Sequence, residues 1–126
     1  MRIALFSPLP PARSGIADYS AALLEAMASV TSVEVYSSAR NVPDLSRYDA
    51  VLYQIGNNGD HDFVYRTALS HPGIVVLHEA NLHHLIADLT IKRGDWDCYM
   101  RAVEFDGGAA ALEYARAVRR LEVGPD

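Results

Sequence analysis

A histidine and a glutamate, His78 and Glu79, directly follow an apolar run of the kind that forms a buried strand. Imidazole changes charge near neutral pH, so a histidine in this place can transfer a proton or hydrogen-bond a sugar hydroxyl. The zinc-protease pattern H-E-x-x-H requires a histidine where the chain has Leu82. His83 and His84 do not share the helix face of His78, and we interpret them as partly exposed helix residues. No metal site is therefore predicted here.

A glycine, Gly15, follows the proline-rich residues 8–13 and opens a stretch with helical spacing. Exposed N–H groups at a helix start bind anions, and glycine lets a ligand approach the backbone closely. Ser14 and Gly15 are thus candidates to hold a phosphate or a sugar hydroxyl. Neither the dinucleotide pattern G-x-G-x-x-G nor a Walker loop occurs. Taken alone, the segment also fits an ordinary strand-to-helix turn.

A third polar segment contains Gln54, Gly56, Asn57 and Asn58 at the end of another apolar run. Amide side chains gathered at a strand end can hydrogen-bond the hydroxyls of a polyol, so Gln54, Gly56 and Asn57 are predicted to bind substrate. Asparagine and glycine are also common in turns for conformational reasons alone. An ordinary turn therefore remains the alternative.

Short apolar runs alternate with helical patterns along most of the chain. The predicted strands are residues 3–6, 33–36, 50–55 and 74–77, of which the first, third and fourth are interpreted as buried. Helical stripes separate most of them; the first contains Ile16, Tyr19, Leu23, Leu24 and Met27. Ser14 is the predicted N-cap of that helix. A further helix is predicted to begin near Glu79 or Ala80.

This order predicts an α/β fold, a Rossmann-like open parallel sheet of about four strands in the order 2-1-3-4 with flanking helices. Ligands of such sheets bind beyond the carboxyl ends of the strands, where all three polar segments lie. We expect one domain over residues 1–126. Its sheet core covers residues 1–91, and a mostly helical extension covers 92–126, with a polar loop at 92–97 and a break at Gly107–Gly108.

The charge and the cysteine content of the chain limit the kinds of function and compartment that fit the sequence. The net charge of −5 argues against a general nucleic-acid binder. The single cysteine, Cys98, predicts a small buried or half-buried side chain and fits a reducing compartment. No signal peptide or transmembrane segment is predicted, and we expect a cytoplasmic protein. Arg116, Arg119 and Arg120 are interpreted as a solvated helix face, with peripheral contact to a membrane surface or an acidic partner as the alternative.

Three segments together resemble the retaining glycosyltransferases of family 4 and a bacterial subgroup of that family. They are IALFSPLPP at 3–11 with SGIADY at 14–19, YQIGN at 53–57 with His61 after it, and PGIVVLHE at 72–79 with LHH at 82–84. The family usually has aspartate where this chain has Glu79, which is a further candidate substrate-binding residue. The resemblance covers residues 1 to about 90 well and the C-terminal helices only loosely.

The resemblance implies the N-terminal, acceptor-side domain of a GT-B enzyme that transfers a sugar, here a hexosyl group, from a nucleotide-diphosphate donor. It implies that Gly15 approaches the donor phosphate and that His78, the catalytic candidate, lies beside the transferred sugar. Family members generally need no metal, and no cofactor is expected. The donor-binding domain of the family has no counterpart here, so we expect a truncated chain that is inactive alone.

A stand-alone Rossmann-type binding or interaction module without catalytic activity is the alternative reading. An epimerase or a response-regulator-like domain fits less well, because the first strand lacks the glycine pattern and no acidic pair follows it. A sheet that stops after four strands leaves an open edge, and such edges tend to pair. We therefore also expect a homo-oligomer.

Overall fold

The computed structural model describes residues 1–38, 40 and 42–121. It contains four strands and four α-helices. In chain order they are β1 (Arg2–Phe6), α1 (Gly15–Met27), β2 (Ser32–Tyr36), β3 (Ala50–Ile55), α2 (Asp62–Ser70), β4 (Ile74–Leu77), α3 (His83–Thr90) and α4 (Trp96–Arg119). Short 3₁₀ turns cover Leu45–Arg47, Gly59–His61 and Ile91–Arg93. Positions 39 and 41 of the predicted loop at 37–48 lie outside the described residues.

The strands form one parallel sheet in the order β2-β1-β3-β4. This confirms the predicted fold class and strand order. The order reverses between β1 and β3, since the chain runs outward to β2 and then returns to the other side of β1. In parallel sheets this switch point, beyond the carboxyl ends of the strands, is where ligands bind. The sheet therefore defines a rim on which the turns after β1, β3 and β4 begin.

The centre of the sheet is buried along β1. Ile3, Ala4, Leu5 and Phe6 are all buried, as their continuous apolar run predicts. The Phe6 ring packs between two tyrosines, with centroid distances of 5.1 Å to Tyr36 and 5.2 Å to Tyr53. Aromatic contacts of this kind fix the register of the neighbouring strands, so the carboxyl ends of β1 and β3 hold their side chains in defined positions.

In helix α1, four residues of the predicted stripe are half-buried: Ile16, Leu23, Leu24 and Met27. Its buried residues are the small Ala17 and Ser20, whereas Tyr19 is half exposed. The Ser20 hydroxyl lies 2.7 Å from the Ser7 hydroxyl at the end of β1, and Ser7 donates to the carbonyl of Pro8 at 2.8 Å. The fully buried residues of α1 are therefore small, and Tyr19 is not among them.

Strand β4 was predicted as a buried run, and this prediction is wrong. Ile74, Val75 and Leu77 are 56%, 44% and 53% exposed. The physical reason is its place at the end of the strand order, where it pairs with β3 on one side only. Apolar residues in sequence thus identified the strand but not whether its faces are covered.

Two helix starts also differ from the prediction. Helix α3 begins at His83 rather than near Glu79, because the Asn81 side chain accepts a hydrogen bond from the His83 N–H at 2.9 Å and forms a turn before the helix. The expected loop at 92–97 contains a 3₁₀ turn, and Asp95 caps α4 by accepting from the Cys98 N–H at 3.0 Å. The predicted break falls inside α4, where Gly108 has a φ of 68° and a ψ of −156°.

Contacts divide the chain into two compact units. Unit 1 is Met1–Gly56 with Asp60–Ala80, and unit 2 is Asn57–Gly59 with Asn81–Asp126. Unit 1 holds the whole sheet with α1 and α2, and unit 2 holds α3 and α4. The half-buried state expected for Cys98 is confirmed, as is the exposure of His84. Within the described residues, no helix is long and apolar enough to cross a membrane.

Candidate functional site

The turns that follow β1, β3 and β4 meet at the rim of the sheet in unit 1. The Tyr19 ring of α1 contacts the His78 ring after β4 edge-on, with centroids 5.2 Å apart and an interplanar angle of 72°. A methyl group placed on Gly56, after β3, would lie 2.3 Å from the Ile16 side chain of α1. The start of α1 therefore adjoins both of the other turns.

The first turn of α1 presents its backbone to solvent. The Ser14 hydroxyl is the N-cap and accepts from the Ala17 N–H at 3.0 Å, as predicted. Gly15 is exposed, and a Cβ built on it would meet no atom within 4 Å. Because its backbone needs no positive φ, the missing side chain leaves open space above the helix start, where an anion or hydroxyl can approach the N–H groups. Asp18 lies in the same turn and limits the positive potential there.

Gln54 and His78 form the central polar contact of the rim. Gln54 is only 1% exposed, and its Oε1 lies 2.5 Å from Nε2 of His78. An amide oxygen can only accept, so Nε2 of His78 carries the hydrogen and donates it. His78 itself is exposed, and its backbone N–H donates to the Ile55 carbonyl at 3.0 Å. In the neutral ring, Nδ1 is then a hydrogen-bond acceptor.

His61 contacts the backbone of Gln54. The pairing of β1 with β3 ends at Phe6 and Tyr53, so the next carbonyl of β3, that of Gln54, has no partner from β1. Nδ1 of His61 lies 2.9 Å from that carbonyl and donates to it. Burial lowers the pKa of His61 from its ordinary value of 6.5, against an opposing effect of the hydrogen bond to Gln54. The ring is therefore neutral with the hydrogen on Nδ1, and Nε2 holds a lone pair.

Two buried polar atoms of this group have no hydrogen-bond partner among the described residues. They are Nε2 of Gln54 and Nε2 of His61. Leaving a buried polar atom unpaired costs about 1–3 kcal/mol of stability. Such atoms are therefore rare in folded proteins. We name Gln54, His61, His78 and Tyr19 together the rim cluster.

The remaining predicted site residues have different surroundings. Gly56 is buried, and a Cβ on it would also lie 2.9 Å from Nε2 of His61, so glycine leaves room for the imidazole. Asn57 belongs to unit 2, where its Oδ1 accepts from the Leu85 N–H at 3.0 Å in the first turn of α3. That bond occupies one side of the Asn57 amide. Glu79 is exposed.

A cavity of about 460 Å³ lies next to the proline-rich loop of unit 1. Its walls come from the proline-rich loop after β1, from the end of β2 and from the start of α2. The lining residues are Pro8, Leu9, Pro10, Pro11, Ala12, Ser37, Ser38, Asp60 and Phe63. Apolar walls with a few polar groups are typical of small-molecule sites, and the volume is in the usual range of about 300–1,000 Å³.

Sequence reasoning did not select Tyr19 and His61 as site residues. Tyr19 belongs to the predicted stripe of α1, and the stripe alone does not reveal that Tyr19 is half exposed. His61 sits within a polar segment, seven residues after its partner Gln54, so local pattern gives no sign of its burial. No group of three or more histidine, cysteine or acidic side chains in the described part of the chain could hold a metal ion.

Comparisons with known proteins do not assign the chain to a family. No family model, no curated protein and no solved structure matches the chain.

Proposed function

We propose that this chain is the acceptor-side domain of a retaining glycosyltransferase that uses a nucleotide-diphosphate sugar. The observation that carries the proposal is the exposed His78 ring, which Gln54 holds beside the glycine-led start of α1. Polar groups from three turns thereby face one rim at the switch point of a parallel sheet. The resemblance of the same three turns to family 4 glycosyltransferases points to the same chemistry.

In this proposal each group has a separate task. Nδ1 of His78 accepts a hydrogen bond from a hydroxyl of the transferred sugar. The open N–H groups around Gly15 face an oxygen of the donor diphosphate, which helix starts bind well. The cavity beside the proline-rich loop receives the acceptor. A donor-binding domain, on another chain or on a longer form of this one, completes the enzyme.

Ligand titration by NMR tests the proposal without requiring turnover. The ¹⁵N-labelled chain is titrated with a nucleoside diphosphate and with nucleotide sugars. We expect shifts of the amide signals of Gly15, Ile16 and His78, because these surround the expected site. The His78→Ala variant should weaken the response to the nucleotide sugars, whereas His84→Ala, which removes an exposed histidine of α3, should not.

Three results would overturn the proposal in different ways. Signals that do not move at millimolar ligand, or that move only in α4, would remove the sugar-binding role of the rim. A response confined to the cavity lining with ligands that lack a diphosphate would favour a stand-alone binding module. Robust sugar transfer by the 126-residue chain alone would refute the need for a second domain.

A further inference from the structure

We propose that Gln54 is a positioning residue, which acts through His78 rather than by touching substrate. This inference rests on the proposed function for its purpose, but its geometry can be tested independently. Gln54 is buried, and its carboxamide oxygen lies 2.5 Å from Nε2 of His78. Its side chain therefore fixes which nitrogen of the exposed ring carries the hydrogen and which nitrogen faces outward.

The backbone of Gln54 is held as firmly as its side chain. The pairing of β3 with β1 extends as far as Tyr53. On its other side β3 pairs with β4, where Gln54 aligns with Val76. Nδ1 of His61 then donates to the Gln54 carbonyl at 2.9 Å, where β1 no longer reaches. A buried strand residue that is aligned with β4 on one side and bonded to His61 on the other can hold a partner ring in a fixed position. An exposed histidine on a loop would otherwise sample several rotamers.

Tyr19 restricts the same ring from the side. Its ring meets that of His78 edge-on at 5.2 Å, while Gln54 holds Nε2. With one nitrogen bonded and one ring edge packed, the exposed His78 side chain has its Nδ1 left for a ligand. This arrangement resembles the way in which outer hydrogen-bond partners orient a reactive imidazole at many sites.

The energetics indicate that Gln54 is not kept for stability. Its Nε2 is buried without a partner among the described residues, which penalises the folded state. An apolar side chain of similar length would fill the same space without that penalty. Residues that break such a rule without a structural gain are expected where function requires them.

Direct contact of Gln54 with a substrate is a weaker explanation. The side chain is 1% exposed, and both its unpaired Nε2 and the neighbouring Nε2 of His61 are inaccessible to solvent. A sugar hydroxyl could reach them only if the rim opened. His78, by contrast, is exposed and already bonded to Gln54.

The experiment compares Gln54→Met with Gln54→Glu in the full chain. Methionine keeps the length but removes the acceptor, and glutamate restores an acceptor oxygen. Imidazole ¹H–¹⁵N spectra report which nitrogen of His78 bears the hydrogen, and whether that hydrogen exchanges slowly enough to be seen. Urea unfolding is measured in parallel. Asn57→Leu is the matched control. It removes a side-chain amide from the same segment, but this amide is bonded to Leu85 and not to His78.

We expect a visible Nε2–H signal of His78 in the unsubstituted chain, its loss in Gln54→Met, and its retention in Gln54→Glu and Asn57→Leu. The urea midpoint of Gln54→Met should be unchanged or higher, whereas that of Asn57→Leu should fall. An unaltered His78 signal in Gln54→Met, or a methionine variant that is unfolded or clearly less stable, would overturn the inference. Neither readout involves a sugar, so these results do not depend on the proposed function.

Discussion

Both units contain a histidine bonded to a buried polar partner, but the surroundings of the two histidines differ. In unit 1, His78 is bonded to the Gln54 amide, and two buried nitrogen atoms of the rim cluster lack partners. In unit 2, Nε2 of His83 lies 2.8 Å from the hydroxyl of the fully buried Tyr99, and the two rings stack at 5.7 Å. Within the described residues, unit 2 has no buried side-chain nitrogen or oxygen without a partner.

The aromatic cluster of unit 2 has the features of a packing core. We define it as His83, Trp96 and Tyr99, with Arg119 over the Trp96 ring at 5.9 Å. Nε2 of His83 and the Tyr99 hydroxyl pair with each other, and the rings supply contact area and stacking. The rim cluster instead exposes His78 and contains buried atoms without a partner among the described residues. The two histidines therefore differ in their surroundings: the contact of His83 lies within a packed aromatic cluster, and the contact of His78 lies beside unpaired buried atoms.

The largest expected effect tests whether the aromatic cluster is a core. Tyr99→Ala should lower the free energy of unfolding by about 3–5 kcal/mol, because it removes a fully buried ring and leaves a cavity. Urea unfolding followed by circular dichroism measures the change. Phe105→Ala is the control, since Phe105 is 90% exposed in the same helix and should change stability by less than about 0.5 kcal/mol. Equal effects of the two variants would remove the packing role of Tyr99.

Two glycines of the rim offer a sharper contrast. Gly56→Ala should destabilise the chain by about 1–3 kcal/mol, because its Cβ would meet Ile16 at 2.3 Å and His61 at 2.9 Å. Gly15→Ala meets no atom within 4 Å and should be neutral or slightly stabilising at a helix start. Thermal unfolding of the two variants measures this difference in stability.

If Gly15 lies beside a phosphate as proposed, Gly15→Ala should weaken nucleoside-diphosphate binding while leaving stability intact. Unchanged binding would contradict that role.

The smallest expected effect is a decrease in the free energy of unfolding at acid pH that comes from His61. Burial lowers the pKa of His61 below 6.5, so the unfolded chain binds this proton more readily than the folded chain. The free energy of unfolding should therefore be highest above pH 6.5 and decline as the pH falls below it, by at most about 1.4 kcal/mol for each pH unit from this group. His61→Asn keeps a donor near the position of Nδ1 but cannot titrate, so it should flatten the decline.

Urea midpoints measured between pH 5 and pH 8 compare His61→Asn with His84→Gln. The exposed His84 serves as the control, and its variant should keep the pH dependence of the unsubstituted chain. A decline that is equally steep in His61→Asn would contradict the assignment of a neutral buried imidazole.

The sequence predicted the sheet, its strand order and the turns that carry the rim. Alternation of apolar runs with helical stripes is a local signal, and the carboxyl ends of parallel strands necessarily share one rim. Ser14 was correctly identified as the N-cap of α1, because the type of residue at a helix start reports its local bonding. The roles assigned to Gly15, Gln54 and His78 remain predictions.

The parts that the sequence did not predict depend on packing between distant segments. Exposure of β4 depends on which strands flank it, and apolar composition does not encode that. The burial of Ser20 involves a contact with Ser7, thirteen residues away in the chain. The burial of His61 depends on where β1 stops pairing with β3. Each follows from tertiary geometry that overrides the local pattern.

Gly108 has an electrostatic consequence for the long helix. Because its φ and ψ interrupt the helical backbone, α4 consists of two successive segments, and each has its own pair of terminal partial charges. Asp106 lies close to the junction, where the negative end of the first segment adjoins the positive end of the second. Arg116 and Arg119, in the last turn, respond to the field of the second segment alone.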